Sequence, residues 1–280
     1  MVELRSVDVS GIHAAFADYA MGSSEGLPEE RLLLRMRKNA VDYEASVGAY
    51  EEGRMVGFTL VGLDAWGGRS TAYDVGTGIV PTTRGRGLAH RMFDHALPAL
   101  AERGVEEFVL EVLQDNAPAI RAYRKARFET TRTLRSFVAA RSVIRRPASS
   151  RWTLRTIDLM QFERVAEEMD WLPSFENRIS AVRAILSDVS LVGAFEKERC
   201  VGAYAYSAPL RWLLSLVCRS HRRLGIGRAL LVHVVEHLPD GVERIAALNV
   251  NGADDGMQGF LGHLGFTPLV DQFEMRRAVA

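Results

Sequence analysis

At 280 residues the chain is long enough for two domains of ordinary size, each able to bury its own core. Apolar residues make up 48% and charged residues 25%, and 35 Lys and Arg against 35 Asp and Glu leave no bulk field to draw it onto nucleic acid or a membrane surface. No apolar run reaches membrane-spanning length, no signal peptide opens the chain, and Cys200 and Cys218 sit in predicted strands without metal-ligand spacing, so a reduced cytoplasmic protein with no metal site is expected.

The elements come in a mixed α/β order. A short strand near Leu4 precedes helical sequence, and a strand over Ala45 to Tyr50 turns at Glu51 to Arg54 into a second over Met55 to Val61. Leu63 to Ser70, with Gly67 and Gly68, reads as a turn-rich loop holding Trp66, followed by a strand over Thr71 to Val80. A glycine-rich turn, Arg84-Gly85-Arg86-Gly87-Leu88-Ala89, opens a helix that runs to Arg103. An alternating strand, Glu107 to Val112, follows, and then a helix to about Ala126 with Asn116 as N-cap and Pro118 in its first turn. Arg141 to Arg151, polar and carrying Pro147, is the expected linker between domains at 1–140 and 152–280.

The order then repeats. Leu4 to Asp8 matches Leu154 to Asp158, Gly48 to Gly57 matches Gly193 to Gly202, and the turn at Arg84 to Ala89 matches Arg222-Arg223-Leu224-Gly225-Ile226-Gly227, again after an apolar run ending at Val217. The offset falls from 150 to 145 to 138 along these pairs, so the second copy carries deletions and the first keeps a longer segment between Leu60 and Thr77. A strand that ends in a glycine turn at a helix start aims unpaired backbone N–H groups and the positive end of a helix dipole at one point, which suits a phosphate or pyrophosphate.

The pattern Arg-x-x-Gly-x-Gly/Ala at Arg84, Gly87 and Ala89, and again at Arg222, Gly225 and Gly227, resembles the acetyl-CoA pyrophosphate loop of the GNAT-type N-acetyltransferases. The likeness extends to Asn116, Tyr123 and Phe128, which fall in the family's order, with Arg127 where the family has Gly. It implies two tandem GNAT domains and transfer of an acetyl group from acetyl-CoA to a primary amine of a small molecule or peptide. Under it, Arg84, Gly85, Arg86, Gly87, Leu88 and Ala89 hold the pyrophosphate, Ile79 and Val80 run beside the pantetheine, and Asn116 completes the cofactor site. Tyr123 is implied as the acid that protonates the leaving thiolate.

Asp74 is the candidate general base, with Glu111 the competing carboxylate, and Trp66 and Tyr73 are candidate walls of the acceptor pocket. In the second copy Leu261 stands where the first has Tyr123 and Asp254 where it has Asn116. The loop there, with Val217 before it, is therefore a second CoA site that binds weakly or not at all. A non-catalytic acyl-CoA sensor and a protein-interaction scaffold are the rival readings, and the chain is either a monomer with an internal pseudo-dimer or a homodimer.

Overall fold

The computed structural model describes residues 3–6, 12, 28–145, 151–218 and 222–279. It is a mixed α/β structure divided into two compact units, Met1–Arg132 with Gln272–Ala280, and Thr133–Asp271. The expected linker contains a 3-10 turn at Arg141–Val143, and its residues 146–150 lie outside the described residues.

In the first unit β1 (Glu3–Ser6), β2 (Val41–Glu51), β3 (Arg54–Trp66), β4 (Arg69–Ile79) and β5 (Glu107–Leu113) follow one another across a sheet, with helix α1 (Glu29–Lys38) between β1 and β2. The β2–β3 turn is built on Glu52 and Gly53, both at positive φ, the backbone that matches the twist of paired strands. Residues 63–70 are not a loop. β3 runs through to Trp66, and Gly67 (φ 58°) and Gly68 (φ 81°) make a second two-residue turn straight into β4, so the longer segment of the first copy is a long hairpin. Two glycines between runs that both pair favour a hairpin over a loop, because only the turn residues need the left-handed region.

Helix α2 (Leu88–Glu102) places Leu88, Met92, Phe93, Ala96 and Leu100 at helical spacing and buries all of them against the sheet. Phe93, Phe108 and Phe128 meet edge to face with centroids 5.3 to 5.5 Å apart, so β5, α2 and the end of helix α3 (Ala117–Lys125) share one aromatic core.

Two strands are divided between the units. From β12 (Thr267–Ala278), the stretch Gln272 to Ala278 pairs antiparallel with Leu113 to Glu107 of β5 and completes the first sheet. From β6 (Glu129–Ala140), the stretch Leu134 to Ala140 pairs with Asn251 to Arg244 of β11 (Arg244–Asn251) in the second. The second sheet continues through β10 (Trp212–Val217), β9 (Arg199–Ser207) and β8 (Ser190–Glu196) to β7 (Thr153–Thr156). Helices α4 (Leu159–Ala166), α5 (Ile179–Ala184), α6 (Ile226–Glu236) and α7 (Asp255–His263) belong to this unit. Cys200 lies in β9, whereas Cys218 follows the last residue of β10.

Candidate active site

The first glycine turn is held from below. Beyond Ile79, Pro81–Thr83 forms a 3-10 turn in which the buried Thr83 hydroxyl lies 3.2 Å from the Val80 carbonyl oxygen and 3.3 Å from that of Val56. The Arg84 Nε donates to the Ile79 carbonyl at 2.9 Å, and the exposed Arg86 guanidinium reaches Glu51 at 3.3 Å, so both arginines are tethered at the rim. Gly85 and Gly87 stand at φ 78° and 73°, and nothing lies within 4 Å of where a Cβ would be. Gly87 is the N-cap of α2 and offers no side-chain acceptor. The first helical bond to its carbonyl comes from the Arg91 N–H, so the N–H groups of Leu88, Ala89 and His90 have no acceptor within the helix, as binding a diphosphate requires.

The strands beside the turn separate. β4 and β5 pair in parallel only from Thr71 to Tyr73 against Glu107 to Val109, while β4 stays paired with β3 as far as Ile79 and β5 with β12. A bulge helps: Leu60 faces Gly76 and Val61 faces Asp74, leaving Val75 as the extra residue. The β5-facing edge of β4 from Asp74 to Ile79 thus has no strand partner among the described residues, and its peptide groups can pair with an extended, amide-bearing ligand. Ile79 ends that stretch and Val80 follows it, both partly buried against the core.

Asp74 sits where the strands part. It is buried, and the Thr77 hydroxyl lies 2.9 and 3.0 Å from its two carboxylate oxygens, with Thr59 Oγ1 a further 3.0 Å from Thr77. Burial outweighs the hydrogen bonds from Thr77 and the Gly76 backbone and pushes the carboxyl up to about 7. Neither threonine was singled out from the sequence; their cross-strand register beside a bulged acid appears only once β3 and β4 are paired. Glu111 is half-buried on β5, opposite Glu274 of β12.

Asn116 accepts the Ala119 N–H at 3.2 Å and caps α3, as its position predicts. Ile120 and Tyr123 share the buried face of that helix, and the Tyr123 ring packs edge to face on Phe93 and Phe128 at 5.8 and 6.2 Å. Arg127 takes φ 65°, the left-handed backbone that Gly265 (φ 85°) occupies in the second unit. Tyr73 is buried on β4. Trp66 is buried too, and the guanidiniums of Arg276 and Arg132 lie 4.4 and 5.6 Å from its ring centroid. Both arginines also bind Glu274, which is fully buried, and Arg276 lies 3.6 Å from the buried Glu107, so Trp66 belongs to a closed cluster of two cations and two anions.

In the second unit the turn keeps its helix start and changes its contents. Gly225 (φ 82°) is the N-cap of α6, but Arg223 (φ 62°) stands where the first unit has Gly85, and Leu224 where it has Arg86. Arg222 pairs with Asp170, and the Leu224 carbonyl accepts the Trp152 indole N–H at 3.1 Å. A Cβ on Gly227 would meet the Phe260 ring at 2.9 Å, so an aromatic side chain packs over the first turn of α6. Residues 219–221, between Val217 and this turn, lie outside the described residues. Asp254 caps α7, and Leu261 is fully buried in the position of Tyr123. Among the described residues no group of three or more His, Cys, Asp or Glu is placed to hold a metal, and no helix is long and apolar enough to cross a membrane.

Known proteins align with this arrangement. The family model described as Acetyltransferase (GNAT) family matches residues 12–128 and again 153–266. Streptothricin acetyltransferase of Streptomyces lavendulae is 40% identical over 83 residues, 30% of this chain and 42% of that protein. Mycothiol acetyltransferase of Saccharomonospora viridis is 39% identical over 87 residues, 29% of this chain and 28% of that protein. These matches span less than half the length of either relative. Among solved structures, a tandem GNAT protein from the clavulanic acid biosynthesis pathway superposes with a TM-score of 0.74 at 17% identity, covering 100% of this chain and 99% of that one. A GCN5-related N-acetyltransferase from Sphaerobacter thermophilus gives 0.73 at 17% identity, covering 99% and 96%. At those identities the likeness concerns the fold. With both halves of the sequence matched by one family model, the chain belongs to the acetyltransferase (GNAT) family, whose members use acetyl-CoA, as a tandem member.

Proposed function

We propose that the first unit is an N-acetyltransferase that moves an acetyl group from acetyl-CoA to a primary amine by direct attack in a ternary complex. The observation that carries this reading is the coincidence, on β4 and the turn that follows it, of an open glycine turn at a helix start, a strand edge without a strand partner among the described residues and a buried carboxyl raised to about 7. The N–H groups of Leu88, Ala89 and His90 would hold the diphosphate, and Arg84 and Arg86 on the rim would add charge-assisted contacts. The edge over Ile79 and Val80 would align the pantetheine, and Asn116 fixes the start of the helix that carries Tyr123.

An amine is a nucleophile only when neutral. With its carboxyl raised to about 7 by burial, Asp74 can take the ammonium proton near neutral pH, directly or through a water. Tyr123 would return a proton to the departing thiolate, because a phenol and a thiol have similar proton affinities. Glu111 has the weaker claim as base: it is less buried and lies beyond the short paired stretch on the other strand. Leu261 cannot serve as an acid, which confines the chemistry to the first unit and leaves the second loop without a catalytic role.

The test is thiol release from acetyl-CoA with a panel of primary amines, streptothricin included because a relative carries that name. Saturable turnover with at least one primary amine, cut ~100-fold or more in Tyr123→Phe, is expected. Tight acetyl-CoA binding with no turnover on any amine would favour a sensor and sink the enzymatic reading.

A further inference from the structure

The parting of β10 from β11 in the second unit opens a cleft of its own. The two strands pair only at Trp212 and Leu213 against Ala246 and Ala247, and each bulges just beyond, at Leu214 and around Leu248 and Asn249. Leu216, Met257 and Leu261 line the cleft, with Trp171 and Leu172 at 42% and 39% exposure on its border. No Lys, Arg or His is among its described lining residues. Arg222 of the loop pairs with Asp170, which lies between the lining residues Met169 and Trp171.

Inside this cleft, whose lining also carries Asn177, Asn249, Asn251 and Asp254, are two hydroxyls, those of Ser174 (1% exposed) and Ser215 (9% exposed), that have no hydrogen-bond partner among the described residues. A buried hydroxyl left in that state costs about 1 to 3 kcal/mol, so two in one cleft ask for a ligand. The repeat sharpens the contrast. Ser215 occupies the position of Thr77, which in the first unit is satisfied by Asp74 and Thr59, whereas the cross-strand neighbour of Ser215 is Ala205. Leu261 stands where the first unit has the phenol of Tyr123, so the cleft is equipped to bind and not to react.

We propose that this cleft is a binding site for an uncharged, apolar acyl amide, separate from the acetyl-CoA site of the first unit. A serine hydroxyl both donates and accepts, so a pair of them suits the carbonyl and N–H of one amide, and the apolar walls suit an alkyl substituent. No cation is among the described lining residues, so a diphosphate would lie against Asp254 with nothing there to offset its charge.

Binding to the full chain is measured by ligand-observed NMR and calorimetry with hexanamide, hexanoate and hexylamine, each with and without saturating acetyl-CoA. Hexanamide is expected to bind saturably at about one per chain under both conditions, at least ~10-fold more tightly than either charged analogue. The Ser174→Ala, Ser215→Ala double variant should weaken it at least ~5-fold while melting no lower than the parent, since it removes hydroxyls that bond to nothing. Absence of hexanamide binding, equal binding of a charged analogue, an unaffected double variant, or loss of the site when acetyl-CoA is added would each overturn the proposal. Failure of acetyl-CoA itself to bind would count against the first unit's function and leave the hexanamide comparison intact.

Discussion

Replacing Asp74 by Asn isolates the most unusual electrostatic feature of the first unit. The carboxyl rises from 3.8 to about 7 because burial penalises its charge. Between those values the folded state holds a proton that the unfolded state releases, so stability falls as pH rises from about 4 to about 7 and is flat above. A shift of about three units at ~1.4 kcal/mol each makes the full cost about 4 kcal/mol, an upper bound because the buried group can relax. Asn resembles the neutral acid in size and polarity and carries no charge to desolvate. Asp74→Asn should therefore match the parent near pH 4, and near pH 8 it should unfold at higher denaturant, by up to about 4 kcal/mol in the first unit's transition. Denaturant midpoints of parent and variant, taken across pH 4 to 8, provide the comparison, and their difference cancels the other titrating groups. Activity should move the opposite way: kcat/KM falls ~100-fold or more, and the limb of its pH profile near 7 disappears. Parallel stability curves over the whole range would refute the buried-acid argument, and an unchanged pH–rate profile would remove Asp74 from the chemistry.

Three further substitutions test other parts of the account. Tyr123→Phe keeps the edge contacts with Phe93 and Phe128, so turnover should drop ~100-fold or more while the acetyl-CoA KM changes less than ~3-fold; a KM effect alone would make Tyr123 a binding residue. Arg127→Gly relieves a left-handed backbone and should raise stability by about 1 kcal/mol in thermal denaturation, and no gain would mean that the Arg127 side chain contributes compensating contacts. Glu274→Leu leaves Arg132 and Arg276 beside Trp66 without their shared counter-ion, and should cost about 3 kcal/mol or more by denaturant midpoint; a neutral result would show that the cluster repacks as an apolar one.

Much of the site was legible because its residues are local. The glycine turn, the Asn116 cap and the Tyr123 face each follow from spacing within a single element, and the repeat exposed the substitution of Leu261 for the phenol. What escaped notice depends on pairing between strands. The stretch around Trp66 read as a loop because two adjacent glycines suggested irregularity, whereas they form a tight turn between strands that bury Trp66 beneath Arg276. The Asp74, Thr77 and Thr59 chain requires a bulge and a register that no spacing along one strand specifies. The division of β6 and β12 between units was equally hidden: each is a strand that follows its copy's last helix, and nothing local states which sheet it completes.

The central claim is that the first glycine turn serves chemistry and the second does not. Matched substitutions, Gly87→Asp and Gly225→Asp, place the same negative charge at corresponding N-caps, both of which are open to solvent and already in a backbone that Asp tolerates. Steady-state thiol release as a function of acetyl-CoA should show KM raised at least ~10-fold in Gly87→Asp and unchanged within ~2-fold in Gly225→Asp. The reverse pattern, or equal losses in both variants, would contradict the assignment of catalysis to the first unit.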